Sequence, residues 1–230
     1  MAEATLNKNM IEGQIKPING MCEELLSVFY SLDRNDFMPE AMKEMSYVEK
    51  NIILQDKRTI LKPSLIAQIA LSINLKANEN VLILGSTTGY LSAILSHLAE
   101  TVIVVEENEQ LLNNSENAIK KNNINNVVFI KNEIVKGYNE QSPFNAIIIE
   151  GAIQEVPLNI IDQLDEGGRL FAIVQEGEIC SAKLFKKNGR SISEQKLFNC
   201  TLPVLSMFIK KNSFSSVSYT HLTLPTSDLV

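Results

Sequence analysis

Four apolar residues, Val81-Leu82-Ile83-Leu84, run into the turn Gly85-Ser86-Thr87-Thr88-Gly89, and an amphipathic stretch follows from Tyr90 to Leu98. A strand, a tight turn and a helix start, in that order, form the first βα unit of a nucleotide-binding α/β sheet. Gly85 supplies the backbone freedom that a sharp turn needs, and Gly89 lets a helix lie close to a ligand or strand. A second apolar run, Thr101 to Val105, ends in Glu106. A carboxylate at the end of the second strand is placed to accept hydrogen bonds from two ribose hydroxyls. Together these features predict a ligand that contains adenosine. Thr87 stands where a strict GxGxxG would have its middle glycine. Glycine-containing βα turns also occur in α/β proteins that bind no nucleotide, so both readings stand at this point.

The same pattern extends along the chain. Strands are predicted at 80–84, 102–105, 127–131, 145–149 and 169–174, with helices at 89–98, 108–122 and 156–164 between them. Apolar runs without alternation suit a parallel sheet covered by helices on both faces. Gly167-Gly168 is expected to end the helix and turn the chain into the next strand. The segments 181–186 and 191–198, joined at Lys187-Asn188-Gly189, read as an antiparallel hairpin, and 202–209 as a further edge strand. Ahead of the sheet, helices are predicted over Met21–Leu32 and from Pro63 to Leu75, with a short one opened by Pro39 and running to Met45. The fold class is therefore α/β: a doubly wound, mainly parallel sheet finished by an antiparallel hairpin, the layout of the methyltransferase version of that fold. With no linker and no repeat, residues 1–216 read as one domain. It has an N-terminal helical extension (1–76) and a ligand-binding sheet (77–216).

Composition narrows the function classes. Of the 230 residues, 27 are acidic and 21 basic, giving a net charge of −6. Without basic clusters, such a surface argues against a nucleic-acid partner. No apolar stretch reaches membrane-spanning length, and the N-terminus lacks the basic-then-apolar layout of a signal peptide. Cys22, Cys180 and Cys200 are widely spaced and odd in number, which predicts reduced thiols in a cytoplasmic protein. No CxxC pair exists and there are only two histidines, so no metal site is expected. The segment Val217–Val230 is similar to a translated sequencing adapter and is expected to be non-native and to make few contacts. Removing it takes away one acid, Asp228, leaving a net charge of about −5 and the same argument.

Five short segments, in order, resemble the protein-L-isoaspartate O-methyltransferase family across roughly Met10 to Ile209. Met10-Ile11-Glu12-Gly13-Gln14-Ile15-Lys16-Pro17 is similar to its segment with a Gln-Ile-Arg-Pro core, and Arg34-Asn35-Asp36-Phe37-Met38-Pro39 to its Arg-x-x-Phe-Val-Pro. Arg58-Thr59-Ile60-Leu61-Lys62-Pro63 falls where the family has Gln-Thr-Ile-Ser-x-Pro. Pro143-Phe144-Asn145-Ala146-Ile147-Ile148 resembles Pro-Phe-Asp-Ala-Ile-Ile, and Gly167-Gly168-Arg169-Leu170 resembles Gly-Gly-Arg-Leu. The resemblance implies an S-adenosylmethionine enzyme that methylates isoaspartyl carboxyls in damaged proteins and peptides, and a monomer is expected. It implies a cofactor site at Gly85, Ser86, Thr87, Gly89, Glu106 and Glu133, where Glu133 stands for a family acid one carbon shorter that reaches the adenine amine. It implies an acceptor loop at Arg58, Thr59 and Leu61.

The departures from the family pattern fall on these positions. Ile83 replaces an acid, Thr87 a glycine, Leu61 the serine that lies against the acceptor carboxyl, and Arg58 a glutamine. An isoaspartyl carboxyl is already ionised at neutral pH and needs no general base, so catalysis is mostly alignment and exclusion of water. A missing serine hydroxyl then removes orientation without deleting an essential step. An arginine in such a loop is expected to face solvent or to clamp a carboxylate. Three classes remain open from the sequence: an active carboxyl methyltransferase, a family member that has kept only binding or scaffolding, and a nicotinamide oxidoreductase on a related sheet.

Overall fold

The computed structural model describes residues 2–209, with the side chains of residues 2–4 left out of the description. The segment 217–230, expected to be non-native, lies outside the described residues. Helix α1 (Ala2–Met10) runs into a π-helical turn at Ile11–Ile15, and α2 (Glu23–Ser31) follows. Two 3₁₀ turns, Arg34–Phe37 and Glu40–Met45, lead to a small antiparallel pair, β1 (Ile52–Ile53) and β2 (Thr59–Ile60). Helix α3 (Pro63–Ile73) opens on Pro63 and ends where Asn74 turns left-handed. The Pro39 segment thus forms a 3₁₀ turn, and α3 stops two residues short of Leu75.

The alternation then begins with β3 (Asn80–Leu84), α4 (Tyr90–Ser96), β4 (Thr101–Glu106), α5 (Glu109–Lys121) and β5 (Val127–Lys131). It continues through β6 (Phe144–Ile153), α6 (Leu158–Ile161), β7 (Leu164–Glu176), β8 (Ile179–Asn188) and β9 (Ser191–Asn199). The seven-stranded sheet has the order β5-β4-β3-β6-β7-β8-β9. Strands β5, β4, β3, β6 and β7 pair in parallel, while β8 and β9 are antiparallel, as the doubly wound reading with a terminal hairpin predicts. The central strands have both faces covered. Val81, Ile83, Val102, Val104, Ala146 and Ile148 enter the core beneath α1 to α4. Leu82, Leu84, Ile103, Val105, Ile147 and Ile149 enter the core on the other face with Ile134, Ile160 and Leu205.

Three segments depart from the sequence reading. The helix expected over 156–164 shrinks to Leu158–Ile161, because Leu164 pairs with Phe144 and is drawn into β7. Gly167-Gly168 therefore lies inside β7, where the pairing jumps from Leu164 to Arg169. A Cβ on Gly168 would stand 2.9 Å from the Asp165 carbonyl oxygen and 3.0 Å from that of Phe144, so the bulge needs glycine there. The expected edge strand at 202–209 makes a single bridge, Val204 to Ala152, and then a 3₁₀ turn at Ser206–Phe208. Pro203 breaks the run, and Leu205 and Phe208 plug the core over the end of β6 instead of extending the sheet.

Candidate active site

The strand order reverses at β3, with β4 on one side and β6 on the other, and ligands bind such sheets beyond the carboxyl ends of those strands. Three segments meet there. Gly85 leaves β3 with φ +88° and donates its N–H to the Val105 carbonyl at 2.9 Å, so the turn is tied to β4. Ser86, Thr87 and Thr88 follow, all buried. Gly89 has φ +81°, and a Cβ on it would stand 3.1 Å from the Ser115 carbonyl oxygen of α5. Its glycine serves the close approach of α4 to α5, a packing role within the turn.

Glu106 ends β4 with no solvent exposure. Its Oε1 accepts the Asn108 backbone N–H at 2.8 Å and Arg58 Nη1 at 3.0 Å, and its Oε2 accepts Arg58 Nη2 at 2.6 Å. Arg58 Nη2 also donates to the Gly85 carbonyl. Arg58 is therefore buried, not solvent-facing, and the carboxylate it clamps is the chain's own. The β1–β2 hairpin causes this. Leu54 N–H bonds the Arg58 carbonyl at 2.7 Å, and the turn between them takes positive φ at Asp56 (58°) and Lys57 (61°). That geometry turns Arg58 inward.

The other predicted site residues divide. Thr59 is buried beside Arg58 with its hydroxyl unbonded. Leu61 is 1% exposed and belongs to the same core cluster as Leu65, Ile66 and Ile69 of α3. Glu133 is exposed and ion-paired with Lys136, while its neighbour Ile134 lies 3.5 Å from where a Cβ on Gly85 would stand, next to Arg58 Nη2 at 3.4 Å. Ile83 is wholly buried in the sheet.

Two site residues escaped the sequence reading. Glu150 lies in β6 opposite the turn, and its Oε1 accepts the Thr87 N–H at 3.3 Å while Oε2 has no partner. Its signal was the one used for Glu106, an acid closing an apolar run, here Ala146 to Ile149. Arg34 is 1% exposed. It donates to the carbonyls of Ser46 (2.8 Å) and Leu61 (2.6 Å) and lies 5.2 Å over the Tyr90 ring, fixing the acceptor loop to the first turn of α4. Burial pushes the Arg34 pKa down and the Tyr90 pKa up.

Burial raises the Glu150 pKa to about 7, opposed by Arg58 and the Thr87 N–H and reinforced by Glu106; Arg34 also feels its charge. A carboxyl whose pKa is higher folded than unfolded stabilises the fold below the unfolded value of 4.5, and that contribution fades as pH rises to about 7. Glu150→Gln is expected to abolish this slope. The wild type should lose on the order of 3 kcal/mol relative to the variant between those limits. Parallel urea curves for the two proteins from pH 4.5 to 8 would contradict the assignment.

Two adjoining clefts open from this cluster and share Pro39, Leu111 and Asn114. One, about 350 Å³, reaches Thr87 and Thr88; the other, about 420 Å³, reaches Arg58, Ile53 and Asn108. A cofactor whose ribose is to be held by Glu106 must reach a carboxylate that already accepts three hydrogen bonds and has no solvent exposure. Both oxygens are bonded to Arg58, and the same guanidinium takes the Gly85 carbonyl. With Arg58 so placed, the residues do not accommodate S-adenosylmethionine at Glu106.

Comparison with known proteins gives the context for this geometry. The family model for protein-L-isoaspartate (D-aspartate) O-methyltransferase matches residues 5–206. A protein-L-isoaspartate O-methyltransferase of Syntrophus aciditrophicus is 30% identical over 190 residues, covering 83% of this chain and 87% of that protein. A solved Plasmodium falciparum structure described as a protein of this family, in complex with S-adenosyl-L-homocysteine, shares the fold with a TM-score of 0.72 at 21% identity, covering 88% of this chain and 97% of that one. A further solved protein-L-isoaspartate O-methyltransferase has a TM-score of 0.74 at 22% identity over 88% of this chain, which spans 65% of that longer protein. The extent of the family match, from the N-terminal helices to the bridge at Val204, places this chain in the protein-L-isoaspartate (D-aspartate) O-methyltransferase family.

Proposed function

We propose that this protein methylates the carboxyl group of isoaspartyl residues in proteins and peptides, with S-adenosylmethionine as methyl donor, the repair reaction of its family. The observation that carries the reading is the Gly85 turn tied to β4 at Val105, beside a buried Glu106 at the sheet's switch point, in a chain matched by the family from residue 5 to 206. Nothing in the comparisons favours the nicotinamide oxidoreductase. The acceptor side is formed by the cleft along Pro39, Met42 and Ile53 to Asp56. An acceptor that arrives already ionised needs holding and drying more than proton removal, and a cleft with Leu54 and Met42 beside Arg58 suits that task. An excess of acids over bases supports peptide acceptors over nucleic acid, and we place the protein in the cytoplasm as a monomer. The test is methyl transfer from labelled S-adenosylmethionine to paired peptides that differ only in an isoaspartyl or aspartyl linkage. Base-labile label on the isoaspartyl peptide alone is expected. Equal labelling of both, or labelling of neither, would overturn the substrate assignment.

A further inference from the structure

Glu106 and Gly85 offer a seat for a cation and a hydrogen-bond donor, and the chain fills it from within. Arg58 spends both terminal nitrogens there, and Nη2 also lies 3.4 Å from the Ser86 carbonyl oxygen. The guanidinium is 4% exposed and the carboxylate not at all, so the pair is shielded from solvent and salt. Around it, buried polar atoms of the chain are left without partners: Ser86 Oγ, Thr59 Oγ1, Arg58 Nε and Glu150 Oε2. Buried polar groups are seldom left unsatisfied, and three such atoms about one ion pair, with a fourth on its own guanidinium, mark a place built for a polar ligand. The segment that delivers Arg58 also holds a means of withdrawal. Its turn keeps Asp56 and Lys57 in left-handed backbone that L-residues rarely adopt, Gln55 to Lys57 are exposed, and Arg58 already lines the 420 Å³ cleft into which it would retreat.

We propose that Arg58 is a gate on the cofactor site: it competes with the cofactor's ribose for Glu106, and a ligand enters only when the 55–58 turn withdraws the guanidinium. This rests on the methyltransferase reading. A ligand whose site is open for only part of the time has its affinity reduced by that fraction. Removing the gate must therefore tighten binding, although it deletes a charged group from the site. An arginine that merely braced the site would do the opposite when removed.

The experiment is calorimetric titration of S-adenosyl-L-homocysteine, which is not consumed, into the wild type and Arg58→Met, with the melting transition of each as the control for folding. The variant is expected to bind about tenfold tighter or better, the factor for a gate open about one part in ten. Stopped-flow mixing of the wild type gives a second reading that does not depend on the variant. Its association rate should level off as ligand rises, at the rate of gate opening. Equal or weaker binding by a folded Arg58→Met, or a wild-type rate that stays proportional to ligand throughout, would overturn the gate while leaving the methyltransferase reading intact. Absence of binding by both proteins, with no methyl transfer to isoaspartyl peptide, would overturn that reading and the gate with it.

Discussion

Replacing Glu106 with alanine is expected to lower the unfolding free energy by about 3–5 kcal/mol, because it strips the partner from a buried guanidinium. The attraction within the pair is not the source of the loss. Arg58 is 4% exposed, and after the substitution it keeps only the Gly85 and Ser86 carbonyls as hydrogen-bond partners, with the Glu150 carboxyl as the remaining acid that feels its charge. If this account is right, a second change relieves the first. Arg58→Met combined with Glu106→Leu removes both charges and keeps apolar volume, and it should recover most of the lost stability. Urea denaturation of the two single variants and the double gives the coupling directly. Additive losses would show that the pair is not the origin of the effect. The same Glu106→Ala variant should bind S-adenosylmethionine about 1.5–3 kcal/mol more weakly, the value of hydrogen bonds to a charged acceptor. The double variant should regain stability without regaining affinity.

Leu61→Ser is the second large effect, and its sign on function differs from the expectation drawn from the family. A serine here was expected to orient the acceptor carboxyl. The side chain at this position lies in the core, 1% exposed and packed with the α3 face that carries Leu65 and Ile69. Only its backbone takes part near the site, where the carbonyl accepts Arg34. The substitution should therefore remove a buried isobutyl group and strand a hydroxyl in the core, destabilising the protein by about 3–5 kcal/mol. Methyl transfer to an isoaspartyl peptide should not rise. Melting temperature and initial rate on one preparation decide the matter. A stable variant with a faster rate would show that the loop turns Leu61 toward the acceptor.

What the sequence revealed follows from the range of the interactions involved. Strand β3 and the turn at Gly85 were readable because apolar runs and glycine spacing are local signals, and Asn80–Leu84 is the strand expected. The ends of β7 were not, because Leu164 is held by its pairing with Phe144, twenty residues away in the chain. Arg58 shows the limit most plainly. Nothing within its own loop states that it will be buried; the reason lies in Glu106, 48 residues on, and in a hairpin only two residues wide. Glu150 was missed for a different reason. The apolar pattern stops at Ile149 and puts the acid in a loop, whereas the strand runs on through it to Ile153, just as an apolar run carries Glu106.

The most direct test of the central claim, that the crevice at Gly85 and Glu106 takes S-adenosylmethionine, is a calorimetric titration of the wild-type protein with that cofactor and, separately, with NAD. The expected result is one molecule of S-adenosylmethionine bound per chain, weakened in Glu106→Ala, and no heat from NAD. Binding of NAD, or S-adenosylmethionine affinity unchanged by Glu106→Ala, would contradict it.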